Sequence, residues 1–232
     1  AKVRCRALHQ NGYPERSKIH AAHGVPRYLV LGSNRVVNAM TPIPERMKKL
    51  PLDRRGYPIP FIVFRTTDGR AHFTINDSAK VDLAAKKQLC GVCGTRLYRG
   101  ERWFVGGPMS AFHTHGAYID GPVHKECGTF ALENCPYLAA PSYARRIDDR
   151  TVNPETLGDS VVLVDPTMLP DRPELFVFAC AKDYKFDANR IFHPKRPWIM
   201  YEFWSKGTKL TDGQAVPLIE ADFARHRAQF GA

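Results

Sequence analysis

Hydrophobic positions along this chain come in short runs separated by turn residues, with few long periodic stretches. Residues 61–65 and 71–75 are β-rich and flank Thr66-Thr67-Asp68-Gly69-Arg70. An Asp-Gly pair between two such runs predicts a β-hairpin. Asn76-Asp77-Ser78 then offers N-cap residues for a helix over about 79–88, where Val81, Leu83-Ala84 and Lys86-Lys87 alternate faces at helical spacing. That helix leads into LCGVCGTRL. A second hairpin is predicted next, 96–98 against 102–105, turned by Arg99-Gly100-Glu101. Gly106-Gly107-Pro108 marks a bend before His113 and His115. After the turn at Asp120-Gly121-Pro122, a second helix is expected from about Val123, carrying His124, Cys127, Phe130, Ala131 and Cys135, with Pro136 and Pro141 bounding it.

The last third repeats the strand texture. Apolar runs at 161–164, 175–181 and 198–204 follow an expected linker over 145–158. Lys206-Gly207 and Asp212-Gly213 read as turns, and Pro217 as the first residue of a helix over about 217–229 with Leu218, Phe223 and Phe230 among its apolar positions. Between Met40 and Pro60 five prolines force extended or turning backbone. Residues 1–39 lack an amphipathic pattern and read as a loosely attached basic arm. The expected organisation is therefore α+β: an arm over 1–39, a domain over 40–144, and a separable β-rich region over 159–232 that ends in a helix.

Four residues within the middle segment carry specific chemistry. Cys90 and Cys93 form C-x2-C, and His124 and Cys127 form H-x2-C, thirty residues further on. Zinc takes four such ligands in a tetrahedron. Two cysteines two residues apart in a tight turn reach one ion, and Gly91 and Gly94 ease that turn. His124 and Cys127 are three apart, so on the first turn of a helix they face the same side. The order of knuckle, hairpin and ligand-bearing helix resembles the treble-clef zinc fold. A Cys2His2 finger needs about twelve residues between its pairs and a second pair of histidines. A LIM module would continue with another cysteine where Phe130 stands. Cys135 competes for the fourth position, and Cys180, inside an apolar run, reads as packing. With all four positions filled by protein, one structural Zn2+ is the expected cofactor, and no small-molecule cofactor is expected.

Charge changes the picture next. The chain of 232 residues has a formal net charge of +11, and it is unevenly placed. Residues 1–39 hold seven basic side chains and one acid, residues 40–150 seventeen and eleven, and residues 151–232 ten and eleven. Attraction to polyanions therefore belongs to the first two-thirds. Arg54, Arg55, Arg96, Arg99, Arg102, Lys125, Arg145 and Arg146 are the candidate phosphate contacts, interleaved with Tyr57, Tyr98 and Trp103 as candidate stacking groups. No apolar run approaches the roughly 20 residues needed to span a bilayer. The paired spacing of the cysteines suits a reducing compartment, so a cytoplasmic protein without a membrane partner is expected.

TPIPERM, LPLDRRGYPIPFIV, LCGVCGTRL, FVGGPMSA and DGPVHKECGTFALENCPYL together resemble a family of bacterial and phage proteins with no assigned activity. The likeness covers about 40–141; it implies the zinc site and a domain boundary, and it implies no reaction.

Three functions follow as expectations. The first is a non-catalytic, zinc-stabilised binding protein that contacts DNA or RNA, or a nucleoprotein complex, through its basic two-thirds. The second is a protein–protein adaptor or phage accessory component, with Trp198, Tyr201, Phe203 and Trp204 as an interaction strand. The third is a divergent HNH-like nuclease using His113, His115, Asp120 and Asn134. The strand 94–98 lacks the base histidine and neighbouring ligand that such a nuclease requires. Serine-hydrolase, Walker-type, zincin and dinucleotide signatures are absent from the sequence.

Overall fold

The computed structural model describes residues 40–139 and 172–230. The arm over 1–39, Arg145 and Arg146, the linker 145–158 and the run 161–164 lie outside the described residues. A 3-10 turn at Glu45–Met47 is followed by β1 (Val63–Arg65), β2 (Ala71–Asn76), α1 (Ser78–Lys87), β3 (Arg102–Gly106) and α2 (Pro108–Phe112). Next come α3 (Lys125–Asn134), α4 (Pro136–Ala139), β4 (Phe176–Ala181), β5 (Tyr184–Phe186), β6 (Phe192–Pro194), β7 (Met200–Ser205), β8 (Thr208–Leu210) and α5 (Asp212–Phe230).

The expected first hairpin forms, with Phe64 opposite His72 and Arg65 opposite Ala71. The expected helix after it starts where the capping residues allow: the Asp77 side chain accepts from the Lys80 N–H at 3.1 Å. It ends at Gln88, in the left-handed region at φ 54°, where the Leu89 N–H reaches back to the Ala84 carbonyl at 2.8 Å.

Phe176–Ala181 (FVFACA) is apolar at all six positions and buried at all six, as a strand covered on both faces must be. It is one of the two inner strands of an antiparallel sheet ordered β3-β4-β7-β8. Alternation sends Phe176, Phe178 and Cys180 to one face, with Trp103, Trp204, Met47, Phe130 and Leu132. Val177, Ala179 and Ala181 go to the other, with Phe104, Tyr118, Phe192, Trp198 and Phe203. Two cores thus share one strand as their common wall.

Two expectations are corrected. The hairpin pairing 96–98 with 102–105 does not form. Leu97 and Arg96 are tied instead to Gln88 and Leu89, and both edges of β3 are taken elsewhere, by Val123 on one side and a five-rung ladder to β4 on the other. That ladder also joins the last third to the middle segment. The described residues from Thr41 onward fall in one compact unit. Finally, the last helix begins at Asp212, with Pro217 inside it. Thr211 and Gln214 cap it reciprocally, the Thr211 N–H donating to Gln214 Oε1 at 2.9 Å and the Gln214 N–H to the Thr211 carbonyl at 3.1 Å. The β5–β6 hairpin was not anticipated, although Tyr184-Lys185-Phe186 and Phe192-His193-Pro194 alternate around a turn at Asp187, whose carboxylate takes the Asn189 and Ile191 N–H groups at 2.9 Å each.

No described helix is long and apolar enough to cross a membrane.

Candidate metal centre

The knuckle at 90–94 is shaped by its own backbone and clamped by two neighbouring segments. Its Cys90 N–H donates to the Thr95 carbonyl at 2.8 Å and its Gly94 N–H to the Cys90 carbonyl at 2.9 Å. Gly94 sits at φ +71°, and a Cβ there would lie 2.8 Å from the Phe61 ring. Phe61 and Ile62 donate backbone N–H groups to Val92 and Gly91, while Gly91 donates to Pro122 at 3.0 Å. The segment just ahead of the second ligand pair is therefore bonded to the first pair.

His124 is the N-cap residue of α3, and Cys127 lies in the helix's first turn. A thiolate there faces the positive end of the helix dipole. Gly128 lets the helix approach the sheet closely, since a Cβ on it would come within 2.4 Å of the Phe178 ring.

Cys90, Cys93, His124 and Cys127 are all buried, and their ligand atoms lie within 4.8 Å of one another. Among the described residues no other group of three or more such donors is that close. A tetrahedral ion with bonds of about 2.3 Å to sulfur places its sulfurs about 3.8 Å apart. The donor set fits that size: Cys93 Sγ is 3.4 Å from His124 Nδ1. The other ring nitrogen, Nε2, lies 3.0 Å from the Arg96 carbonyl, which can only accept, so Nε2 carries the proton and Nδ1 is left for an ion. Backbone N–H groups of Cys93 and His124 point at Cys90 Sγ at 3.5 and 3.4 Å, and Thr95 Oγ1 sits 3.1 Å from Cys93 Sγ. Such donors favour thiolate over thiol.

The protonation pattern tells the same story. Hydrogen bonds with Cys127 and Cys90 hold the Cys93 thiol far below its ordinary range. Contact with Cys90 and Cys93 pushes Cys127 far above it. Burial opposes charge on His124, yet hydrogen bonds to Cys90 and Cys93 and their negative charge raise it to about 10. These groups are arranged to hold positive charge in their midst, which a divalent cation supplies. Cys135 is the C-cap of α3, and Cys180 faces the core from β4; neither joins the cluster.

Arg46 covers the outer edge of this cluster, and nothing local in the sequence announces it. Its guanidinium pairs with Glu126, donates to the Tyr98 hydroxyl and to Thr95 Oγ1 (3.4 Å), and lies 5.2 Å from the Tyr98 ring centroid. Tyr98 in turn packs edge-on against His124, with ring centroids 5.1 Å apart.

The chain matches no family model, no curated protein and no solved structure. From the resemblance noted over 40–141, the structure therefore carries forward the cysteine–histidine cluster alone.

The candidate phosphate contacts fare unequally. Arg54, Arg96 and Arg99 are exposed and form no ion pair among the described residues. Arg55 is exposed but paired with Asp53 at 2.9 Å and set against Tyr57 and Phe73. Lys125 pairs with Glu202 at 3.4 Å and lies over Trp103. Arg102 is a correction: only 4% exposed, it donates to the carbonyls of Tyr98 and Glu101 and to Gln88 Oε1, stitching the 98–101 turn to the end of α1. Trp103 is likewise buried. Sequence reasoning missed Lys86 and Lys87 as surface groups. Both are exposed in the last turn of α1, which the Leu89–Arg96 bridge sets beside 96–99. Glu101, which follows this segment in the chain, is exposed as well.

The nuclease candidates are dispersed. Asp120 accepts from Asn76 at 2.7 Å, and Asn134 bonds Thr41 and the Phe130 carbonyl. His113 stands near His115 and His226, at centroid distances of 5.7 and 6.3 Å.

Proposed function

We propose that this chain is a non-catalytic, zinc-stabilised binding protein that contacts nucleic acid through the basic surface beside its knuckle. The carrying observation is that α1, ending in Lys86 and Lys87, continues into Gln88 and Leu89, which bond to Leu97 and Arg96, and that Lys86, Lys87, Arg96 and Arg99 are all exposed and without ion pairs among the described residues. Unpaired cations on neighbouring backbone segments supply the sequence-independent term of polyanion binding. Three thiolates and one imidazole suit zinc. Because protein donors fill all four positions, the ion is structural: it fixes the knuckle to α3 and leaves no place for a reacting water. The knuckle followed by a ligand-bearing helix fits a treble-clef-like arrangement, with Val123 in the place of the second hairpin strand.

Zinc itself is checked by metal analysis of the purified chain, with one ion per chain expected and copurifying zinc lost in a variant carrying Cys90→Ser and Cys127→Ser. The nucleic-acid surface is checked by fluorescence anisotropy with labelled mixed-sequence oligonucleotides across a salt series. Log affinity falls linearly with log salt if phosphates are neutralised. The quadruple change Lys86→Ala, Lys87→Ala, Arg96→Ala and Arg99→Ala flattens that slope. Affinity that ignores salt, or a quadruple variant that binds like the parent, defeats the proposal.

A protein adaptor is the second reading, and one observation favours it: Ile199, Met200 and Tyr201 are consecutive, apolar and 42–48% exposed. It predicts that Met200→Glu abolishes partner capture and leaves oligonucleotide binding intact.

A further inference from the structure

The surface beside the knuckle also carries an aromatic group in an unusual setting. Tyr98 is 52% exposed and stands between Arg96 and Arg99, both exposed. It is not free to fold back. Its hydroxyl accepts from Arg46, its ring lies under the Arg46 guanidinium at 5.2 Å, and it meets His124 edge-on at 5.1 Å and 68°. A ring fixed in this way, by a residue of the metal cluster, offers a stacking surface at little conformational cost. Two residues on, Gly100 turns the chain at φ +81°, where a Cβ would meet nothing within 4 Å.

The metal-anchored helix is unsuited to a duplex groove. On α3 the exposed Glu126 is paired with Arg46, Lys125 is held by Glu202, and the half-buried Glu133 accepts from Thr41. A helix entering the major groove needs neutral or basic residues facing phosphate. The cations lie instead along an extended segment and a helix end, flanking one aromatic. This is the layout of a single-strand site, in which a cationic track follows the backbone and a ring takes a base.

Resting on the nucleic-acid reading above, we propose that the ligand is a single-stranded polynucleotide, with Lys86, Lys87, Arg96 and Arg99 tracking its phosphates and Tyr98 stacking one base. Four neutralised phosphates give a log–log salt slope of about −3 for a single strand.

The test uses the full chain with its copurified metal and three probes of equal length and sequence: single-stranded DNA, single-stranded RNA and the DNA duplex. A single strand is expected to bind at least about tenfold more tightly than the duplex, and the DNA and RNA arms identify which strand type is preferred. Tyr98→Phe, which keeps the ring but loses the hydrogen bond from Arg46, is expected to lose less affinity than Tyr98→Ala. Tyr98→Ala is expected to lose about tenfold, at unchanged metal content. Photocrosslinking of the parent protein to a 5-iodouracil-bearing strand, mapped by mass spectrometry, is expected to place the adduct on Tyr98, a readout that no folding defect in a variant can disturb. Equal or tighter duplex binding, or adducts elsewhere with Tyr98→Ala unimpaired, overturns the single-strand proposal while a salt-dependent affinity leaves the nucleic-acid reading standing. Loss of salt dependence altogether defeats both.

Discussion

The two faces of the β3-β4-β7-β8 sheet are held together by different physics. On one face Phe104, Tyr118, Phe192 and Trp198 fill the space with aromatic surface, Phe104 and Tyr118 at 5.0 Å and Tyr118 and Trp198 at right angles. This core needs nothing from outside the chain. On the other face the core is interrupted by three cysteines and a buried histidine, whose donor atoms crowd within 4.8 Å. Four buried donors so close together could hold a metal ion, and the proposed zinc would make this core's stability conditional. A chain of this size can support an unconditional core and add a conditional one beside it, and under the proposal above the conditional one would hold the 94–99 segment in place.

The largest expected effect tests that conditionality directly. Structural zinc is worth about 10–16 kcal/mol of apparent binding free energy in small zinc domains. Chelation, or Cys90→Ser with Cys127→Ser, is therefore expected to strip hydrogen-exchange protection from 88–99 and the first turns of α3, while β4 and β7 stay protected. Uniform loss on both sides would erase the contrast. Next in size, Phe104→Ala is expected to cost about 3–5 kcal/mol in urea denaturation with one metal per chain retained. Metal loss in that variant would mean the two cores are one. Gly128→Ala follows. Alanine gains about 1 kcal/mol of helix propensity, but its Cβ would stand 2.4 Å from Phe178, so a net loss of about 1–3 kcal/mol is expected by thermal or chemical unfolding. A stabilised variant would show that α3 lifts freely off the sheet. Smallest is Arg46→Ala. Three thiolates outweigh a divalent cation by one negative charge, which Arg46 is placed to offset. Its removal is expected to weaken metal affinity about tenfold in a competition assay with a chromophoric chelator, as changes around ligands do. Unchanged affinity would reduce Arg46 to a surface contact.

Much of the metal centre was legible from two spacings, because C-x2-C in a glycine-bearing turn and H-x2-C at a helix start are local facts. Local too were the first hairpin, announced by Asp68-Gly69, and α1, announced by Asp77. What stayed hidden depends on partners distant in the chain. The segment 96–98 and β3 share a turn, so pairing between them was the natural expectation. Nothing nearby reveals that β3 is claimed by Val123 and by β4, more than seventy residues on. Arg102 reads like its neighbours Arg96 and Arg99 in sequence, yet the end of α1 buries it. Arg46, far upstream, reaches the centre only because the turn at Glu45–Met47 packs Met47 into the same core. Pro217 looked like a helix start because proline favours that position, but the Thr211–Gln214 cap starts the helix five residues earlier, at Asp212.

The strand Phe176–Ala181 has a consequence of another kind. Its odd and even residues serve different cores, so its register is a code with two reading frames. Losing a single residue within it would hand small side chains to the metal side and phenylalanines to a space already filled by Phe104 and Phe203. Substitutions along β4 trade one contact at a time, whereas a one-residue deletion there exchanges both inventories at once. Length, more than composition, is the property this strand can least give up.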